Sequence, residues 1–265
     1  RNDLEARKLR FIGDANQRIA EDFLRILRYF RFLARYGGGQ LDADAIDACA
    51  KGAHRLTALS RERIAQELAR ILVLKDPVAS VELMISNAIF APFLPELSAS
   101  AANDLRRLVH REQEFTQPVS LHARFLALLI HEPVAVDKVA ARLKLSNKLR
   151  EGFAQRLRAP APEPGNLRAI AYRSDAETAR DVAMLFAADT DLPECLARLE
   201  KWEIPSLNIK GGELIQMGLP AGPLVAKTLQ TIEANWVSED FPDAARQREL
   251  AVQTVSATLS AIKNA

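Results

Sequence analysis

Cysteine is nearly absent from this sequence: the two in 265 residues, Cys49 and Cys195, lie far apart without neighbouring ligand residues. That argues against a disulfide framework and fits a reducing compartment. Histidine is sparse too, with four residues. His110, His122 and His131 lack metal-ligand spacing, and no His-Asp pair occurs, so no metal site is expected in this chain. No apolar run approaches the ~20 residues of a membrane helix. Among the longer ones, Phe125-Leu-Ala-Leu-Leu-Ile130 has the length of a core helix. No signal peptide is recognisable at the start, so a cytoplasmic protein without a membrane partner is expected. Excess charge of either sign is lacking too, 36 basic against 34 acidic residues for a net +2. Any nucleic-acid surface must therefore be a local patch rather than a global field.

Helical periodicity is abundant instead, and the fold class it predicts is all-α. Asp42 or Asp44 opens a helix through Ile46 and Cys49, and Ser60 caps one over 61–74 with Ile64, Leu68, Ile71 and Leu72 as its seam. Pro77 opens a helix through Val81, Met84 and Ile85. Helices are predicted over 102–113, 119–130, 134–143 and 146–157, the last capped by Ser146. The run Ala159-Pro-Ala-Pro-Glu-Pro-Gly165 excludes continued helix and marks a boundary. Helices resume over 166–173, 175–188, 192–203 and 243–264, with Trp202 and Trp236 assigned to the core. Gly37-Gly-Gly39 is expected to stop a helix through left-handed glycine backbone.

The most informative stretch is Glu21-Asp-Phe-Leu-Arg-Ile-Leu-Arg-Tyr-Phe-Arg-Phe32. At 3.6 residues per turn, Phe23, Ile26, Leu27, Phe30 and Leu33 or Ala34 share an apolar face, and Glu21, Asp22, Arg25, Arg28, Arg31 and Arg35 the other. On one continuous helix Asp22 and Arg25 would project side by side. A pair at that spacing is ordinarily a solvated contact worth ~0.2–0.5 kcal/mol. A carboxylate that only accepts beside a guanidinium that only donates is also a reader of hydrogen-bonding edges.

The wider pattern joins Leu9-Arg-Phe-Ile-Gly-Asp14, Arg18-Ile19, Glu21-Asp22-x-x-Arg25-x-x-Arg28 and Leu59-Ser-x-Glu-Arg-Ile-x-x-Glu-Leu68. It resembles the class II tRNA nucleotidyltransferases, the CCA-adding enzymes and their bacterial poly(A) polymerase relatives. The resemblance implies that Asp22 and Arg25 form a protein template for the incoming base. Cytosine and adenine both present an amino donor beside a ring-nitrogen acceptor, which such a pair complements; uracil and guanine present the wrong edge. Arg18, Glu21 and Arg28 are then supports for that helix or for the triphosphate. Glu62, Arg63 and Glu67 match a block expected to brace the template, an i,i+4 surface pair of Arg63 with Glu67 being the plainer alternative.

A second likeness lies in Lys210-Gly-Gly-Glu-Leu-Ile-Gln-Met-Gly-Leu-Pro-Ala-Gly-Pro-Leu-Val-Ala-Lys227, which resembles the family's tail element. There Gly218 would end one short helix and Gly222-Pro223 start the next, offering Gly222 and Lys227 to a tRNA phosphate. Ala226 stands where the family often has glycine, and a buried helix corner is the plainer alternative. The architecture implied is a multi-helical array of neck (1–97), body (98–160) and RNA-binding tail (161–265). The family's N-terminal α/β head, with its glycine-rich loop and the paired aspartates that hold Mg2+, has no match here, the sequence opening near Asp3-Leu4 where a head would finish. The implied substrates are CTP and ATP and the implied partner is tRNA, held by its acceptor–TψC arm, with this part alone expected to be inactive. Two alternatives stay open: a poly(A) polymerase adding only A, and a non-catalytic helical RNA-binding or scaffold module.

Overall fold

The computed structural model describes residues 9–37 and 40–263. The expectations placed on Asp3-Leu4 and on Gly38 and Gly39 lie outside them. All the regular elements among the described residues are helices, and the only bridge between extended residues joins Leu97 to Leu129. The chain divides into two compact units, one running through Ala159 and including Met184–Phe186, the other comprising Pro160–Ala183 and the residues from Ala187 onward.

The first unit contains α1 (Ala15–Glu21), α2 (Leu24–Tyr36), α3 (Ala43–Gly52), a 3-10 turn (Ala53–Ala58), α4 (Arg61–Leu72), α5 (Val78–Ser86), α6 (Ala101–Glu114), α7 (Leu121–Leu126), α8 (Pro133–Arg142) and α9 (Asn147–Arg158). Its starts are local chemistry. Asp42 Oδ1 accepts from Ala45 N–H at 3.2 Å, and Ser60 Oγ and Ser146 Oγ accept from Arg63 and Leu149 N–H, each at 3.3 Å. α2 is the central helix. Its Ile26, Leu27 and Phe30 are fully buried, as are Ile64, Leu68, Ile71 and Leu72 of α4 and Val81 and Met84 of α5, and α2 packs on both α4 and α5. Ser80 Oγ donates to the Phe30 carbonyl at 2.7 Å, pinning α5 to α2 through a buried bond.

Three expectations are corrected here. The template stretch is not one continuous helix: Asp22, with φ −155° and ψ 105°, is extended and separates α1 from α2. Gly37 is not left-handed either; φ is −68°, and its N–H donates to Leu33 O at 2.7 Å. Glycine is required there because an added Cβ would fall 2.3 Å from that same carbonyl oxygen. The helix predicted over 119–130 stops at Leu126, since Leu128 and Leu129 turn to pair with Ser98 and Leu97.

Below that break lies a buried arginine. Arg124, only 1% exposed, donates to the carbonyls of Leu72, Leu74 and Lys75 and to the buried carboxylate of Glu112. Its guanidinium thus satisfies carbonyls at and just beyond the end of α4 that the helix leaves without donors.

The second unit holds α10 (Leu167–Arg173), α11 (Ala176–Phe186, whose last turn counts with the first unit), α12 (Leu192–Leu199), α13 (Gly211–Gln216), α14 (Pro223–Ser238) and α15 (Ala244–Lys263). α14 packs along α15 around Ile232, Trp236, Leu250, Ala251 and Val255. Trp236 is buried and donates Nε1–H to the Pro242 carbonyl at 2.8 Å. Trp202 is half-buried, its ring 5.5 Å from the Arg168 guanidinium, which itself reaches Asp240 at 3.1 Å.

Candidate nucleotide-recognition site

The site is built on the break between α1 and α2. Asp14 opens α1 by accepting from Gln17 N–H at 2.7 Å. At the other end, extended Asp22 turns its carboxylate forward to accept from Leu24 N–H, the first residue of α2, at 3.1 Å. Its second contacts are basic: Arg63 Nη2 of α4 at 3.3 Å and Arg28 Nη1 at 3.7 Å. Arg25 is held differently. Its Nη1 donates to Glu21 Oε2 at 2.7 Å and to the Arg18 carbonyl at 2.9 Å, and Arg18 donates to the same carboxylate at 3.0 Å. Asp22 and Arg25 therefore have separate clamps, one from α4 and one from α1.

A buried carboxylate stands behind them. Glu67, 2% exposed, faces Arg31 Nε at 2.9 Å, Arg70 Nη1 at 2.8 Å and Arg28 Nε at 3.8 Å. The Arg31 contact is ionic rather than an aligned hydrogen bond. Arg28 bridges the half-buried Asp22 and the buried Glu67, which ties the α1–α2 turn to α4. Arg63 and Glu67 thus engage α1–α2 rather than each other. Glu62 does not; it accepts from Lys144, just beyond α8, at 2.9 Å, and that hydrogen bond holds its carboxyl below the ordinary value. Arg31 and Arg70 complete the cluster; only their place on helices beside acidic residues signals them in the sequence.

The leader closes one side. Phe11 stacks on Tyr29 with centroids 5.3 Å apart. Between leader and helices is a concavity of about 320 Å³ whose lining includes Arg10, Phe11, Arg18, Arg25, Arg28 and Phe32. Its charged lining is entirely guanidinium, which suits a polyphosphate and supplies no ligand for a magnesium ion. The resemblance assigns its Mg2+ to the head rather than to this pocket, whose residues offer the ion no carboxylate. Asp22 is not among the lining residues. Two larger hollows lack this chemistry. One of about 840 Å³ presents Asp42, Asp44 and Asp47, and one of about 720 Å³ is lined largely by α2 and α5 with no cation.

A family model described as the probable RNA and SrmB-binding site of polymerase A matches residues 40–100. CCA tRNA nucleotidyltransferase 1, mitochondrial, of Mus musculus is 29% identical over 254 residues, covering 90% of this chain and 57% of that protein. The structure of the Bacillus stearothermophilus CCA-adding enzyme in complex with CTP matches with a TM-score of 0.74 at 22% identity, over 100% of this chain and 69% of that one. A Thermotoga maritima CCA-adding enzyme complexed with tRNA matches at 0.69 and 18% identity, over 97% and 66%. The chain is similar to CCA-adding enzymes over most of its own length. It corresponds to a C-terminal portion, spanning little more than half of the mouse relative.

The second region assigned through the resemblance to CCA-adding enzymes lies in the other unit. Gly218, at φ +98°, follows α13, and Gly222, at φ +133° and ψ −163°, precedes Pro223 at the start of α14. The Gly222 conformation is open to glycine and strained for any L side chain. Lys227 is exposed and has no carboxylate partner among the described residues. Ala226 is exposed as well. No described helix is long and apolar enough to cross a membrane.

Proposed function

We propose that this chain is the base-selecting and tRNA-holding part of an enzyme that adds C and A to the 3′ end of tRNA. Residues 1–97 act as the neck, 98–160 as the body and 161–265 as the tail. Asp22 accepts from the amino group shared by cytosine and adenine while Arg25 donates to the adjacent ring nitrogen. The reading is supported above all by the double clamp at the α1–α2 break: Arg63 and Arg28 fix Asp22, and Glu21 and the Arg18 carbonyl fix Arg25. Groups fixed in advance reject the wrong edge, because a mismatched base leaves them unpaired. Arg18 and Arg28, lining the hollow beside them, take the triphosphate. Gly222 and Lys227 take a phosphate of the acceptor–TψC arm, whose A-form helix is recognised by shape and backbone. The relatives solved with CTP and with tRNA carry the same fold.

Equilibrium binding of CTP, ATP, UTP and GTP to this chain tests the reading. CTP and ATP should bind at least about tenfold tighter than UTP and GTP, the scale of one charged hydrogen bond. Asp22→Ala should erase that preference while affinity for tRNA lacking its CCA end persists. A parent chain indifferent to the base sinks the assignment. The description of the matching family model favours a second reading, a poly(A) polymerase; binding of ATP without CTP would select it.

A further inference from the structure

Aromatic side chains are few here, 6% of residues, and the large ones of the first unit, such as Phe30, Phe90, Phe93, Phe125 and Phe153, are buried. Phe32 and Tyr36 break that pattern. They are 38% and 56% exposed on the last turns of α2, one helical turn apart, with rings 6.1 Å apart and 22° from parallel. Each carries a guanidinium: Arg31 lies 4.7 Å from the Phe32 centroid and Arg35 5.3 Å from that of Tyr36. The two arginines are not equivalent. Arg31 is tied to Glu67 at 2.9 Å, whereas Arg35 has no carboxylate partner among the described residues. Phe32 also lines the guanidinium-walled hollow. The aromatic pair therefore begins where the proposed nucleotide pocket ends.

We propose that Phe32 and Tyr36 are a stacking platform for the unpaired bases at the 3′ end of the RNA. A base lies on Tyr36 in place of Arg35, and the released guanidinium turns to the adjacent phosphate. Arg31 stays, held by its carboxylate, and keeps the Phe32 ring in register with the pocket. An aromatic surface bracketed by cations, beside a pocket walled by arginine, has the chemistry of a single-stranded nucleic-acid track, where stacking tolerates any base and cations follow the backbone. A protein partner would have to bury Arg31 and Arg35 against acidic groups. The inference rests on the RNA-end reading given above.

The test uses the full chain and two fluorescein-labelled RNA hairpins, identical except that one ends in a short unpaired 3′ segment and the other is blunt. The parent should prefer the overhang. Tyr36→Ala and Tyr36→Leu should each weaken overhang binding about tenfold and leave blunt binding unchanged, while Tyr36→Phe retains the preference. Tyr36→Leu keeps apolar bulk without a ring, so parental behaviour of that variant overturns stacking. Overturning results are also a parent indifferent to the overhang, equal loss on both hairpins, or a Tyr36-dependent self-association in sedimentation. The selectivity of Asp22 is measured separately with nucleotides. Loss of that selectivity with the overhang preference intact leaves the platform standing as a single-strand site, and the reverse removes the platform alone.

Discussion

The α1–α2 break and the Gly222–Lys227 turn hold their polar groups in opposite ways. At the break, Asp22 and Arg25 each have opposite-charge or carbonyl partners, and Glu67 behind them is buried among three arginines. At the turn, Lys227 stands exposed on a helix whose start is fixed only by Gly222 and Pro223. Reading a base edge needs direction, and direction needs neighbours that fix rotamers before the ligand arrives. Gripping a phosphate needs only charge and a free donor, which a flexible lysine supplies without support.

Removing the buried support should give the largest effect. Glu67→Ala leaves Arg31 and Arg70 without their carboxylate and Arg28 with Asp22 alone, an expected loss of about 3 kcal/mol of stability, read by urea denaturation. Lys227→Ala should stay within about 0.5 kcal/mol of the parent. Equal stabilities for the two variants would break the distinction between a scaffolded and an unscaffolded region.

What was legible beforehand follows the same division. The caps at Asp42, Ser60, Ser146 and Asp175 are local, so sequence reveals them; Asp175 Oδ1 accepts from Thr178 N–H at 2.7 Å, as its position suggests. The break at Asp22 was hidden because the apolar spacing runs through it: Ile26, Leu27 and Phe30 are buried as a continuous helix would bury them. Only the side-chain oxygen returning to Leu24 N–H marks the interruption, and aspartate at a helix start was the available signal. Arg124 was illegible for another reason. Beside an apolar run it resembles a solvated residue, and the carbonyls it satisfies lie some 50 residues away in sequence. Arg63 and Glu67 could be read as a surface pair or as a brace, and spacing alone could not choose between partners on the same helix and on another.

The tail should reveal itself through salt. If Lys227 meets a phosphate, Lys227→Ala lowers tRNA affinity severalfold and reduces the slope of log affinity against log salt by about one or less. Nucleotide selectivity should be untouched. An unchanged slope would return the turn to a structural corner.

The smallest expected effect probes the clamp on Arg25. Partial desolvation raises the Glu21 carboxyl, but hydrogen bonds from Arg25 and Arg18 outweigh it and hold the group below its ordinary value of 4.5. A depressed carboxyl contributes stability that is complete above the ordinary value and disappears as pH falls through the lowered one. The clamp should therefore be intact at neutral pH and release Arg25 only in acid. Carbon-detected NMR titration of Glu21 should place its midpoint below 4.5 in the parent, with Arg25→Ala moving it upward. Lys227 has no carboxylate partner among the described residues, so no comparable clamp exists at the turn. A Glu21 midpoint indifferent to Arg25 would mean that the guanidinium is not held in solution. Selectivity by Asp22 and Arg25 would then have to arise on ligand binding, and the contrast between the two regions would narrow to the buried Glu67 alone.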